Sequence, residues 1–164
     1  MISQTMLDEM NDQIMHEMYS AYLYLSMSSY CESVSMAGFA SWMRFQAKEE
    51  MEHAMKFYDF IQDRGGRVVL QAIAQPPAEF GTMREIFEQT LQHEQKVTGR
   101  IHHLYKLALQ ENDYASQVFL NWFVDEQVEE EKNASQILDI LKLIGDSPNG
   151  LFHLDHRLSK RSEE

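Results

Sequence analysis

The sequence has little cysteine, proline, glycine or positive charge. Its one cysteine, Cys31, excludes a disulfide framework within the chain and a cysteine-based zinc site. Only 14 Lys and Arg stand against 26 Asp and Glu, a formal charge of -12. That balance argues against a nucleic-acid partner, whose phosphates need clustered Lys and Arg, and against docking on an anionic membrane. No apolar run approaches the ~20 residues of a membrane span. Met1 to Met10 lack the basic-then-apolar order of a secretory signal, so the expected location is the cytoplasm. The acid excess favours cations, metal ions included, although solubility alone would account for it. Core-forming residues are plentiful. Nine Phe, seven Tyr, two Trp and a 44% apolar fraction in 164 residues exclude intrinsic disorder and suit one domain spanning 1–164.

The seven glycines and three prolines are concentrated around residues 65–81 and 145–150, which leaves long segments free of helix breakers. The pattern predicts four long helices, roughly 4–33, 37–64, 83–111 and 114–144. At ~1.5 Å per residue, ~30 residues reach ~45 Å, which implies a long bundle. Short turns near Ser33-Val34-Ser35 and Asn112-Asp113 make each pair an antiparallel hairpin. The link at about 65–82 is long enough to run the length of the bundle and to set the third helix parallel to the second. The expected fold is therefore all-α, a four-helix bundle over about 4–144 with one long crossover. A short fifth helix at about 148–159 begins at Pro148 after a Ser147 cap. Its apolar Leu151, Phe152, Leu154 and Leu158 are expected to seek a partner outside the four-helix core. His153 and His156 on it are expected to be exposed without a special role, and Lys160 to Glu164 to be a frayed end.

Following each helix at three-four spacing gives a core stripe that turns polar near its middle. The polar members are Glu17 in the first helix, Glu50 and His53 in the second, Glu94 in the third, and Gln127 and Glu130 in the fourth. They should meet in one layer of the bundle. Buried carboxylates there need protons or cations, and no Lys or Arg lies in the stripes near them. Oxygen and nitrogen ligands without sulfur suit iron or manganese, and also accept zinc. Spacing adds a second signal: Glu50 follows Glu17 by 33 positions, and Gln127 follows Glu94 by 33. The chain reads as two related hairpins, each giving half of a two-metal site. Tyr24, seven positions after Glu17, faces the same layer.

The pattern Glu17, Glu50-x-x-His53, Glu94 and Gln127-x-x-Glu130 resembles the ferritins, and among them the bacterial and archaeal non-haem ferritins. The resemblance covers nearly the whole chain, including the crossover and the fifth helix. The general rule for di-iron bundles places Glu-x-x-His on both inner helices. Here the second copy is Gln127-x-x-Glu130, which departs from the haem-binding bacterioferritins.

The resemblance implies one iron on Glu17, Glu50 and His53, with Glu50 bridging. A second iron would lie on Glu94 and Glu130, with Gln127 as a weak ligand or hydrogen-bond partner. Glu49, Glu126 and Glu129 correspond to a third, peripheral iron site that shares Glu130. Tyr24 would hydrogen-bond the site and donate an electron, and Trp122 would act likewise. The implied activity is that of a ferroxidase, which oxidises Fe(II) with dioxygen or peroxide and stores ferric oxyhydroxide in a shell of 24 subunits. The fifth helix would line the four-fold axis of that shell. No haem is expected, although Met51 resembles the haem-ligating methionine of the bacterioferritins. Two other readings compete. One is a di-iron oxidase or oxygenase acting on an organic substrate or peroxide, a group that mostly keeps two histidines. The other is a shell subunit that nucleates iron without fast oxidation, a type that lacks the layer ligands.

Overall fold

The computed structural model describes residues 1–161. It has five helices: α1 (Gln4–Ser33), α2 (Ala37–Asp63), α3 (Met83–Gln110), α4 (Tyr114–Ile144) and α5 (Pro148–Leu158). Their starts fall where the sequence supplies caps. The side chains of Ser3, Thr82, Asp113 and Ser147 each accept a backbone N–H from the first turn of the helix that follows. The start of α2 has no cap of its own; α5 provides one, because Asp155 Oδ1 accepts from Phe39 N at 3.0 Å.

The hairpin turns are closed by backbone geometry. Ser35 and Asn112 take left-handed φ values of 63° and 55°. Behind them Met36 N donates to Cys31 O at 2.9 Å, and Asp113 N to Ala108 O at 2.9 Å. This is the Schellman arrangement, and it reverses the chain in a few residues. The pairs α1–α2 and α3–α4 are therefore antiparallel, as expected.

The crossover climbs along α1. Asn11 holds its start, donating to Arg67 O at 3.2 Å and accepting from Val69 N at 2.8 Å. Ser26 then donates to Pro77 O, and Tyr30 to Gly81 O at 2.8 Å. From Asn11 to Tyr30 the climb is roughly 28 Å at helical rise. It delivers α3 to the end of the bundle where α2 begins, so α2 and α3 are parallel. Partners across the bundle agree: Ser3 bonds Glu111, Arg100 bonds Gln13, Arg64 bonds Asp113 and Gln46 bonds Glu130.

The apolar core has two parts. One holds Tyr24, Phe39, Trp42 and Phe87; the other holds Met10, Phe57, Ile101 and Phe123. Between them lies the polar layer. Cys31 is a buried member of the first part, and burial pushes its thiol up to about 12, so it is an inert packing residue.

The fifth helix corrects an expectation. It packs on its own subunit: Leu154 and Leu158 are buried among Phe39 and Trp42, while Phe152 stays exposed. The close approach depends on Gly38, where a Cβ would sit 1.7 Å from the Asp155 carbonyl oxygen. Gly38→Ala is expected to push α5 away, at a cost of about 1–3 kcal/mol. Differential scanning calorimetry and limited proteolysis within α5 check this; an unchanged melt and cleavage pattern would refute it. The frayed-end expectation also fails for Arg161, which is anchored on α2. Ser162 to Glu164 lie outside the described residues. Among the described residues, no helix is long and apolar enough to cross a membrane.

Candidate metal centre

Heptad-like phasing carries the six layer residues inward. Glu17, Glu50, His53, Glu94, Gln127 and Glu130 are all buried, none more than 4% exposed. Ligand atoms gather in three groups, each within 4.8 Å: Glu17, Glu50 and His53; Glu50, Glu94 and Glu130; and His53, Glu126 and Glu130. Glu50 belongs to the first two and so stands between them. His53 turns Nδ1 toward Glu50 Oε2 at 3.6 Å and Glu17 Oε2 at 3.9 Å. Its other nitrogen, Nε2, faces Glu126 Oε1 at 3.8 Å. Glu17 Oε2 is buried without a hydrogen-bond partner. A buried carboxylate oxygen left bare is costly, and a cation in the layer would satisfy it.

Hydrogen bonds orient the remaining lone pairs. Tyr24 donates to Glu94, and Gln127 Nε2 donates to Glu94 Oε2 at 3.2 Å. Gln127 thus acts as a donor to a neighbouring carboxylate. Tyr24 is fully buried, and burial together with the charge of Glu94 pushes its phenol well above its ordinary range. Trp122 stacks edge-on to His53 at 5.3 Å, with Lys56 Nζ 4.5 Å from its ring centre.

The electrostatics is that of like charges shut in together. Burial, with the charge of Glu94 and then Glu17, holds Glu50 well above the carboxylate range. Burial does the same to Glu130, with Glu94 and Glu50 adding to it. Glu94 is pushed up to about 7 by burial, against the opposing bonds from Tyr24 and Gln127. Such groups take either a proton or a metal cation. Two divalent ions would balance the four carboxylates Glu17, Glu50, Glu94 and Glu130.

The peripheral trio is brought together only in part. Glu126 lies at the rim with His53 and Glu130, whereas Glu129 is exposed. Glu49 is held by Arg161 Nη2 at 2.5 Å. Next to this rim Glu131 is half-buried and accepts from Thr98 Oγ1 at 2.6 Å. Three supports of the layer go beyond the sequence expectation. Gln13 donates to Glu17 Oε1 at 2.8 Å and is itself fixed by Arg100. Gln46 donates to Glu130 Oε2 at 2.6 Å and Glu50 Oε1 at 3.3 Å. Arg161 in turn donates to Gln46. The glutamines carry a signal in retrospect, since each stands four positions before a layer glutamate and the two are 33 apart. Nothing in the sequence points to Arg161.

A carboxylate layer across a bundle with one long crossover defines a class, and comparison with known proteins agrees. The family description "Ferritin-like domain" matches residues 7–144, most of the chain. The chain belongs to the ferritin family, whose members bind and store iron. It is 44% identical over 162 residues to the bacterial non-heme ferritin of Staphylococcus saprophyticus, covering 99% of this chain and 97% of that one. It is 41% identical to the bacterial non-heme ferritin of Staphylococcus aureus, covering 99% and 98%. Among solved structures, an open pore ferritin from the archaeon Archaeoglobus fulgidus superimposes with a TM-score of 0.98 at 49% identity, covering 99% of this chain and all of that one.

Proposed function

We propose that the chain is an iron-storing ferroxidase. Two Fe(II) are the substrates. Glu17, Glu50 and His53 hold one; Glu94 and Glu130 hold the other; Glu50 bridges them, and Gln127 steadies Glu94. Each Fe(II) gives up one electron. Dioxygen accepts both with two protons and leaves as hydrogen peroxide, so no free superoxide forms. Peroxide as the oxidant takes two electrons and two protons and yields two waters. The observation that carries this reading is the buried group of carboxylates in which Glu17 Oε2 has no hydrogen-bond partner. A protein built to keep the layer closed would have paired that oxygen.

The asymmetry serves turnover. The half with His53 holds its ion more firmly, while the half without a histidine lets the Fe(III) product move on toward ferric oxyhydroxide. Glu126, with His53 and Glu130, offers the next foothold at the rim, and Glu49 and Glu129 extend it. Tyr24 lies in reach as a one-electron donor, and Trp122 lies beside His53. The mineral fills a closed shell of identical subunits, 24 by family resemblance. The exposed Tyr22, Leu25, Met51 and Ile73, which share one shallow hollow on the α1–α2 face, support burial against a second copy.

Size-exclusion chromatography followed by aerobic Fe(II) titration tests the proposal. The metal-free protein should elute as one large assembly and consume about one dioxygen per two Fe(II) in the first additions. A large assembly that takes up no oxygen, or a monomer that never assembles, would refute it.

A further inference from the structure

The segment after α5 returns to the metal layer. Arg161 lies across one stripe of α2 formed by Trp42, Phe45, Gln46 and Glu49. Its guanidinium lies over both Trp42 and Phe45, 4.6 Å from each ring centre. Nη1 donates to Gln46 Oε1 at 2.9 Å, and Nη2 donates to Glu49 Oε2 at 2.5 Å. Stacking and a forked donor geometry are what a guanidinium does better than an ammonium. The side chain is 19% exposed, so the contacts are largely shielded from water.

Gln46 passes this contact inward. It is 1% exposed, and its amide nitrogen spends its hydrogens on Glu130 and Glu50. The oxygen and nitrogen of an amide are nearly equal in shape, so its partners decide which way it faces. Arg161 has only donors to offer, so it holds the oxygen outward and the NH2 inward. At the same time Arg161 pairs with Glu49, a carboxylate on the next turn of α2.

We propose that Arg161 is a positioning residue with two effects: it aims the Gln46 amide at Glu50 and Glu130, and it serves Glu49 as a built-in cation that a metal ion must displace before Glu49 ligates. The second effect rests on the proposed passage of iron over the rim; the first rests on the layer alone. The rim is thereby kept weak while the layer is kept ordered. An ion is drawn first to the layer and only afterwards, when the rim ion outcompetes the guanidinium, to Glu49.

Anaerobic Fe(II) titration of the assembled protein by calorimetry separates this from a structural role and does not depend on oxidation. Arg161→Gln should tighten the weakest class of sites by about tenfold, the scale of one shielded charge-assisted bond. It should also weaken the tight class by a few-fold as Gln46 loses its anchor. Arg161→Lys keeps the charge but not the fork, so it should leave the weak class near the parent and still weaken the tight class. In a Glu49→Gln background, Arg161→Gln should no longer tighten the weak class. Unchanged isotherms in Arg161→Gln, or tightening that persists with Glu49→Gln, would overturn the proposal. If Arg161→Gln does not assemble, the Arg161→Lys split between the two classes decides: no weakening of the tight class refutes it. Loss of oxygen uptake in the parent would refute the ferroxidase reading while leaving these isotherms to stand or fall separately.

Discussion

Glu50→Ala is expected to lower the initial rate of Fe(II) oxidation by roughly 100-fold or more, measured by stopped-flow absorbance at two Fe(II) per subunit. Glu50 is the member shared by both central ligand groups, and its Oε2 lies 3.6 Å from His53 Nδ1. Without it the two ions lose their bridge. An ion alone gives dioxygen one electron, and the two-electron route closes. His53→Ala removes the only nitrogen ligand of the layer and should weaken the first ion most, raising the Fe(II) concentration needed for half-maximal rate. Either variant oxidising Fe(II) as fast as the parent would sink the assignment. Folding is not expected to mask the result, because Glu50 stands among like charges and its loss relieves them.

The second large effect is on stability. The metal-free protein should be less stable at pH 8 than at pH 6.5, and saturating divalent metal should flatten that dependence. The sign follows from proton linkage. A carboxyl whose folded value is raised binds more protons folded than unfolded. Its stabilisation is complete below the unfolded value and is lost as the pH rises through the folded one. For Glu94, raised from 4.5 to about 7, most of the loss falls below pH 6.5 and about 1 kcal/mol remains to be lost between pH 6.5 and pH 8. Glu50 and Glu130 are raised well above the usual range and extend the loss beyond it. His93 opposes them at lower pH. Burial drops it from 6.5 to about 4, so it adds stability as the pH rises between those values. Above 6.5 it is silent and the carboxyls act alone. A difference of about 1 kcal/mol in a chain of this size lowers Tm by ~2–4 °C, and the loss from Glu50 and Glu130 adds to it. Calorimetry on chelator-treated protein, with and without Zn(II), is the check. Equal Tm at pH 6.5 and pH 8 in the metal-free state would contradict the account.

Much of this was legible in the sequence because it is local or periodic. Helix ends are set by Ser3, Thr82, Asp113 and Ser147, and the expected bounds are met within one residue. Three-four phasing placed all six layer residues inside, since a helix rotates each of them to one face whatever its chemistry. The missing parts depend on contacts that no period records. Arg161 and Gln46 are 115 positions apart, and Phe39 and Asp155 are 116 apart. The docking of α5 depends on a missing side chain at Gly38, which reads in sequence as mere permissiveness. The acidic run of α4 was parsed correctly at Gln127 and Glu130. Its neighbour Glu131 is held instead by a contact between helices, the hydroxyl of Thr98 on α3, which no period records.

The split core has a further consequence. Two apolar blocks, one around Phe39 and Phe87 and one around Phe57 and Phe123, are separated by a waist of carboxylates. At that waist the helices are tied by polar contacts, Tyr24 to Glu94 and Gln46 to Glu130, and on the proposed function bound ions would add a clasp. A subunit whose cargo fastens its own midsection would be tightest when loaded.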